Sequence, residues 1–136
     1  MSCRKTGTAS ANTTSVSDLN GKWEVAFTKR EFIAAGADPG EICCGNWGRL
    51  TFVFDRGKWR IIGTTPGSSS AGTYVLHGSE ITFYRSDRAY PGSDTEVWGP
   101  YTWSVYRDTL TFTKRHWTHL MGPTGLVVKP WRRAGR

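Results

Sequence analysis

Residues 19–27 read Leu19-Asn20-Gly21-Lys22-Trp23-Glu24-Val25-Ala26-Phe27, or LNGKWEVAF. From Lys22 onward apolar and polar side chains alternate. Trp23, Val25 and Phe27 fall on one face of a strand, Lys22 and Glu24 on the other. Glycine two places before the tryptophan has no Cβ, so the backbone can pass close beneath its neighbours there.

The same alternation recurs down the chain, punctuated by turns. After the first strand, Thr28 with Glu31 three residues on, and Gly36 as a stop, spell a capping box and a short helix in TKREFIAAG. A second strand is expected over Arg49 to Phe54, with Leu50, Phe52 and Phe54 alternating. Asp55-Arg56-Gly57 turns it into a third at Trp59 to Ile62. Thr73 to Leu76, a His77-Gly78-Ser79 turn and Glu80 to Tyr84 read as a hairpin. Tyr101 to Tyr106, Arg107-Asp108-Thr109 and Leu110 to Lys114 read as another, and Leu126 to Lys129 as an eighth strand. YVLHGSEITF (74–83) and WSVYRDTLTF (103–112) echo one another as successive turns of a meander do.

The connections after the first strand run alternately long and short. In an up-and-down antiparallel sheet they also alternate between its two ends. All the long ones (28–47, 63–72, 85–99, 115–125) therefore gather at one end and the three tight turns at the other. Eight strands suffice to close around a small interior. The expected fold is all-β: an eight-stranded antiparallel up-and-down barrel with a short helix after its first strand. Residues 1–17 are expected to be a disordered Ser/Thr-rich tail and 18–136 the barrel domain. The inward parity makes one face aromatic, from Trp23 to Phe112, and the outward parity collects Thr, Lys, Arg and Glu residues. A two-layer sandwich gives the same parity and stands as the alternative.

Composition agrees with β-structure. Aromatics make up 13% of the 136 residues, with seven Trp, and there are 16 Gly. Cys3 and the neighbours Cys43 and Cys44 do not make a disulfide framework. Arg4 and Lys5 are not followed by an apolar stretch, so they do not read as a secretion signal, and a cytoplasmic protein is expected. The net charge of +7 suits an anionic partner, but its cations crowd the chain ends and lie scattered between them. With the aromatics on the inward parity, neither a nucleic acid nor a membrane is expected as partner.

Gly21-Lys22-Trp23 at the head of a strand meander resembles the calycins, the lipocalins in particular. GTYVLHGSEITF and KPWRR look like small lipocalin-like domains of actinobacterial type. The resemblance implies that Gly21 and Trp23 form the barrel floor, with a basic residue past the last strand, Arg132 or Arg133, laid over the indole. It departs from secreted lipocalins in lacking a disulfide pair and in its short strands.

Following the inward parity toward the long-loop end names a lining: Phe27, Trp47, Ile61, Tyr74, Phe83, Tyr101, Trp103 and Phe112. Arg85, Lys114 and His116 stand above them. Aromatic walls under a few cations suit a hydrophobic small molecule with an acidic or enolate head group; the same rings can also simply fill a small barrel. No phosphate loop, catalytic triad order, CxxC or HExxH motif occurs, and neither a metal nor a cofactor is expected. His116 and His119 lack a third ligand, and Cys43–Cys44 is a vicinal thiol pair without an assigned role.

By analogy of architecture, the chain is similar to cofactor-free barrel cyclases of polyketide-like biosynthesis. Such an enzyme folds a flexible substrate in an aromatic mould while donors polarise a carbonyl or oxyanion. Tyr74, Tyr101 and His116 are the candidate catalytic residues, and Trp103 a further donor. Phe27, Trp47, Ile61, Phe83, Arg85, Trp103, Phe112 and Lys114 would bind substrate. The alternative is a non-catalytic carrier of a hydrophobic metabolite, as monomer or homodimer.

Overall fold

The computed structural model describes residues 16–37, 39–42, 47–63, 69–86, 96–114 and 123–135. Its eight strands are β1 (Gly21–Phe27), β2 (Gly48–Asp55), β3 (Lys58–Ile62), β4 (Ser69–His77), β5 (Glu80–Arg85), β6 (Val97–Tyr106), β7 (Thr109–Lys114) and β8 (Trp131–Gly135). Each pairs antiparallel with the next, and β8 returns to pair with β1, so the sheet closes on itself in sequence order. Closure excludes the sandwich.

The local signals act as their chemistry dictates. Thr28 Oγ1 accepts the Glu31 amide and Glu31 Oε1 accepts the Thr28 amide, a capping box that starts α2 (Lys29–Ala34). Arg56 and Gly57 both hold positive φ, the condition of a primed turn, and join β2 to β3 without splaying them. Gly78-Ser79 and Arg107-Asp108 make the other two tight turns.

Gly72 serves a different purpose. A Cβ there would lie 1.8 Å from the Tyr84 carbonyl oxygen, so β4 and β5 approach as closely as they do only because the residue has no side chain.

Two expectations need correction. Leu126–Lys129 is not a strand: Thr124–Val127 is a 3-10 helix, and β8 begins at Trp131, directly after Pro130. Proline lacks the ladder donor and suits the start of a strand, while Leu126 is fully buried from the 3-10 turn and its carbonyl accepts Trp131 Nε1–H. The strands are also not uniformly short, since β4 has 9 residues and β6 has 10. A helical turn, α1 (Val16–Leu19), leads from the end of the expected Ser/Thr-rich tail into β1. Residues 1–15 of that tail lie outside the described residues.

The core is aromatic. The Phe52 ring lies 4.4 Å from Phe54, 5.3 Å from Trp131, 5.5 Å from Phe83, 5.9 Å from Trp59 and 6.0 Å from Phe112. Phe83 in turn meets Trp98, Tyr101 and Phe112. Tilted and edge-on ring pairs of this kind contribute roughly 0.5–1.5 kcal/mol each beyond the area they bury. They fill the middle of the barrel with side chains instead of lining a wide hollow.

Candidate functional site

The two ends of the barrel are built differently. At the tight-turn end, α1 folds beneath β1, and Trp23 Nε1–H donates to the Leu19 carbonyl at 2.9 Å. Gly21 opens β1 with φ +130, a conformation that residues with a Cβ rarely adopt. The guanidinium of Arg133 lies 4.1 Å over the Trp23 ring and donates to the carbonyls of Asn20 (3.0 Å) and Asp18 (2.6 Å). Asn20 Oδ1 accepts the Arg56 amide, tying this plug to the β2–β3 turn.

The arginine over the indole is therefore Arg133. Arg132, the residue assigned to the floor, stands opposite Glu24 and Thr109 on the outward face and is exposed. Trp131 is the first inward residue of β8, which fixes Arg133 as the next inward one.

At the other end lie the long connections. Phe27, at the top of β1, is buried against Phe32 of α2, with ring centres 5.4 Å apart. Trp47 is half-buried, its Nε1–H donating to Ile42 of α3 (Pro39–Ile42). Ile61 on β3 and Trp98 on β6 are buried, and the Trp98 ring sits 4.8 Å from Trp59.

Arg85 ends β5 with its side chain only 10% exposed, and its Nη1 is 3.5 Å from Glu96 Oε1. Glu96 Oε2 accepts the Trp98 indole N–H. One carboxylate, itself 47% exposed, thus holds a nearly buried cation and a buried indole at the rim. Across the mouth, Lys129 Nζ meets Glu31 Oε2 at 2.8 Å. That ammonium, followed by the Thr28 amide, holds the Glu31 carboxyl below the usual carboxylate range.

The remaining candidates separate by height. Phe83, Tyr101 and Phe112 belong to the packed ring cluster. Tyr74 and Trp103 are not at the mouth. The Tyr74 amide donates to Gly57 and the Trp103 amide to Ser79, so each lies beside a tight turn. Closing a barrel staggers each hairpin against the last, and that stagger carries mid-strand residues of β4 and β6 down beside the neighbouring turn. Tyr74 Oη and Trp103 Nε1 are buried and have no hydrogen-bond partner among the described residues.

Lys114 ends β7 exposed to solvent, not turned inward. His116, with His119, Cys3, Cys43 and Cys44, lies outside the described residues. Among the described residues no three His, Cys, Asp or Glu side chains converge on a metal position, and no helix is long and apolar enough to cross a membrane.

Trp98 is the site residue that sequence reasoning missed. It lies three residues before Tyr101, yet both face inward, because β5–β6 pairing shifts register between Ile81 and Phe83. Gly99-Pro100 marked the irregularity in the sequence.

No protein-family model matches this chain, and no curated protein or solved structure matches it. The closed eight-stranded antiparallel barrel is lipocalin-like in architecture.

Proposed function

We propose that the protein binds a hydrophobic small molecule with an acidic or enolate head group at the loop end of its barrel. The observation that carries this reading is Arg85: a side chain nine-tenths withdrawn from water, held by Glu96, a carboxylate that is itself half exposed and also accepts the N–H of the buried Trp98 indole. An anionic head entering at the rim takes the place of Glu96 on Arg85, while its apolar body rests on Trp98, Ile61, Phe27 and Trp47. The floor is plugged and the barrel's middle is filled with rings, so the ligand sits high, beside α2.

Calycin kinship of the small actinobacterial kind accords with this reading through Gly21-Lys22-Trp23 and the arginine laid over the indole. Indole N–H resonances test the site. Titration with medium-chain fatty acids and aromatic carboxylic acids should shift the Trp98 and Trp47 signals and leave Trp23 and Trp131 in place, and Arg85→Met should abolish the response. Shifts at Trp23 or Trp131 instead, or an unaltered response in Arg85→Met, overturn it.

A second reading, cofactor-free cyclisation of a polyketide-like precursor, draws on the unpartnered Tyr74 hydroxyl and Trp103 indole N–H, buried donors suited to polarising a carbonyl. It requires the packed rings to part for the substrate. Tyr74→Phe then lowers turnover more than affinity; equal turnover in wild type and variant rejects it.

A further inference from the structure

Strand pairing gathers cations that are scattered along the sequence. On the outward faces of β8, β1, β2 and β3 stand Arg132, Lys22, Arg49, Lys58 and Arg60, against Glu24 and Asp55. Arg56 extends the set into the β2–β3 turn, where it pairs with Asp55. Arg49 lies 3.8 Å from Glu24, but Lys22, Lys58, Arg60 and Arg132 have no ion pair among the described residues, and all four are exposed.

Lys22 and Arg60 flank Val53 in one cross-strand row, which sets them about 10 Å apart, two strand spacings. Lys58 lies two residues along β3 from Arg60, about 7 Å away on the same face. The other half of the barrel is different. The outward residues of β4 to β7 are mostly neutral, among them Thr73, Val75, Thr82, Tyr84, Thr102, Ser104, Tyr106, Thr111 and Thr113; Glu80 is charged, exposed Lys114 ends β7, and exposed Arg107 stands in the β6–β7 turn.

We infer that the β8–β1–β2–β3 face is a docking surface for double-stranded nucleic acid, held through its phosphates without reading sequence. Cations concentrated on one face, six of them against two carboxylates, are what a polyanion needs. The face exposes no aromatic ring among its described residues, so it offers unpaired bases nothing to stack on. A duplex, whose bases are already stacked and whose phosphates line its outside, is the nucleic acid that it suits. This surface is separate from the loop-end site, and neither depends on the other.

The test is anisotropy of a labelled duplex of about 20 base pairs, two helical turns, across about 50 to 200 mM salt. With four unpaired cations each meeting a phosphate, log affinity should fall against log salt with a slope of about −3.6, an affinity loss of about 150-fold over that range. Lys58→Gln with Arg60→Gln should bring the slope to about −2 and cut binding at low salt at least tenfold. Lys29→Gln with Arg30→Gln removes the same charge from exposed positions on α2 and should leave both unchanged.

Equal losses in the two pairs would reduce the effect to net charge and overturn the assignment. Tighter binding of the single strand would overturn it as well. So would binding to phosphatidylserine vesicles through Lys58 and Arg60 with none to the duplex. Near-ultraviolet circular dichroism of the exposed-site variants confirms that they are folded.

Discussion

Replacing Arg133 with methionine tests how the barrel is closed. The side chain is only 7% exposed. Its loss removes two charge-assisted hydrogen bonds to the carbonyls of Asn20 and Asp18, and the cation laid over Trp23. Hydrogen bonds to a charged group contribute about 1.5–3 kcal/mol each, and a largely desolvated cation–π contact about 1–2 kcal/mol. Methionine preserves the apolar stem, and water reaches part of the freed carbonyls, so a net loss of about 3–4 kcal/mol is expected. At this chain length that lowers Tm by about 10–15 °C.

Arg132→Met, one position earlier and on the outward face, should cost under about 0.5 kcal/mol. Arg133→Lys should recover only part of the loss, because a single ammonium cannot span two carbonyls and cover an indole at once. Urea unfolding followed by Trp fluorescence measures all three. Equal effects at 132 and 133, or a loss below about 1 kcal/mol at Arg133, would refute the plugged floor.

Three further outcomes are expected. Gly72→Ala drives a Cβ into the Tyr84 carbonyl and should cost about 3 kcal/mol or more or abolish soluble expression; a urea midpoint near that of wild type contradicts the close approach of β4 and β5. Tyr74→Phe removes a buried hydroxyl that has no partner and should stabilise the ligand-free protein by about 1 kcal/mol in the same assay. Glu31 should titrate below 4.5 in carboxyl-carbon NMR, and move up in Lys129→Gln. Because its folded pKa is depressed, the stabilisation from the Lys129 and Thr28 contacts is present above the unfolded pKa and fades as pH falls through the folded one.

What could be read in the sequence was local. The capping box at Thr28 and Glu31 depends on a spacing of three, and the turns at Arg56–Gly57 and Gly78–Ser79 on a glycine that takes positive φ; neither needs tertiary information. Inward parity held wherever a ladder ran without interruption, from Trp23 to Phe27 and from Leu50 to Phe54. It failed at Gly99-Pro100, where the register shift brings Trp98 and Tyr101 to the same side. Leu126–Lys129 is as apolar and β-branched as a strand, and only Pro123 and Pro130 on either side hinted at a compact turn that packs Leu126 inward. The heights of Tyr74 and Trp103 were not legible, because stagger is a property of the closed sheet and of no single segment. The Glu96 bridge between Arg85 and Trp98 was hidden for the same reason: it joins the ends of two strands across a long connection.

The central claim is that the loop end holds a hydrophobic ligand. Native mass spectrometry of protein isolated gently from the cells that make it tests this most directly. The account predicts a species heavier than the 15.2 kDa chain by a discrete small-molecule mass. That mass should be removed by organic extraction and be absent from Arg85→Met. Protein that carries only the mass of its own chain, from cells rich in hydrophobic metabolites, would contradict it.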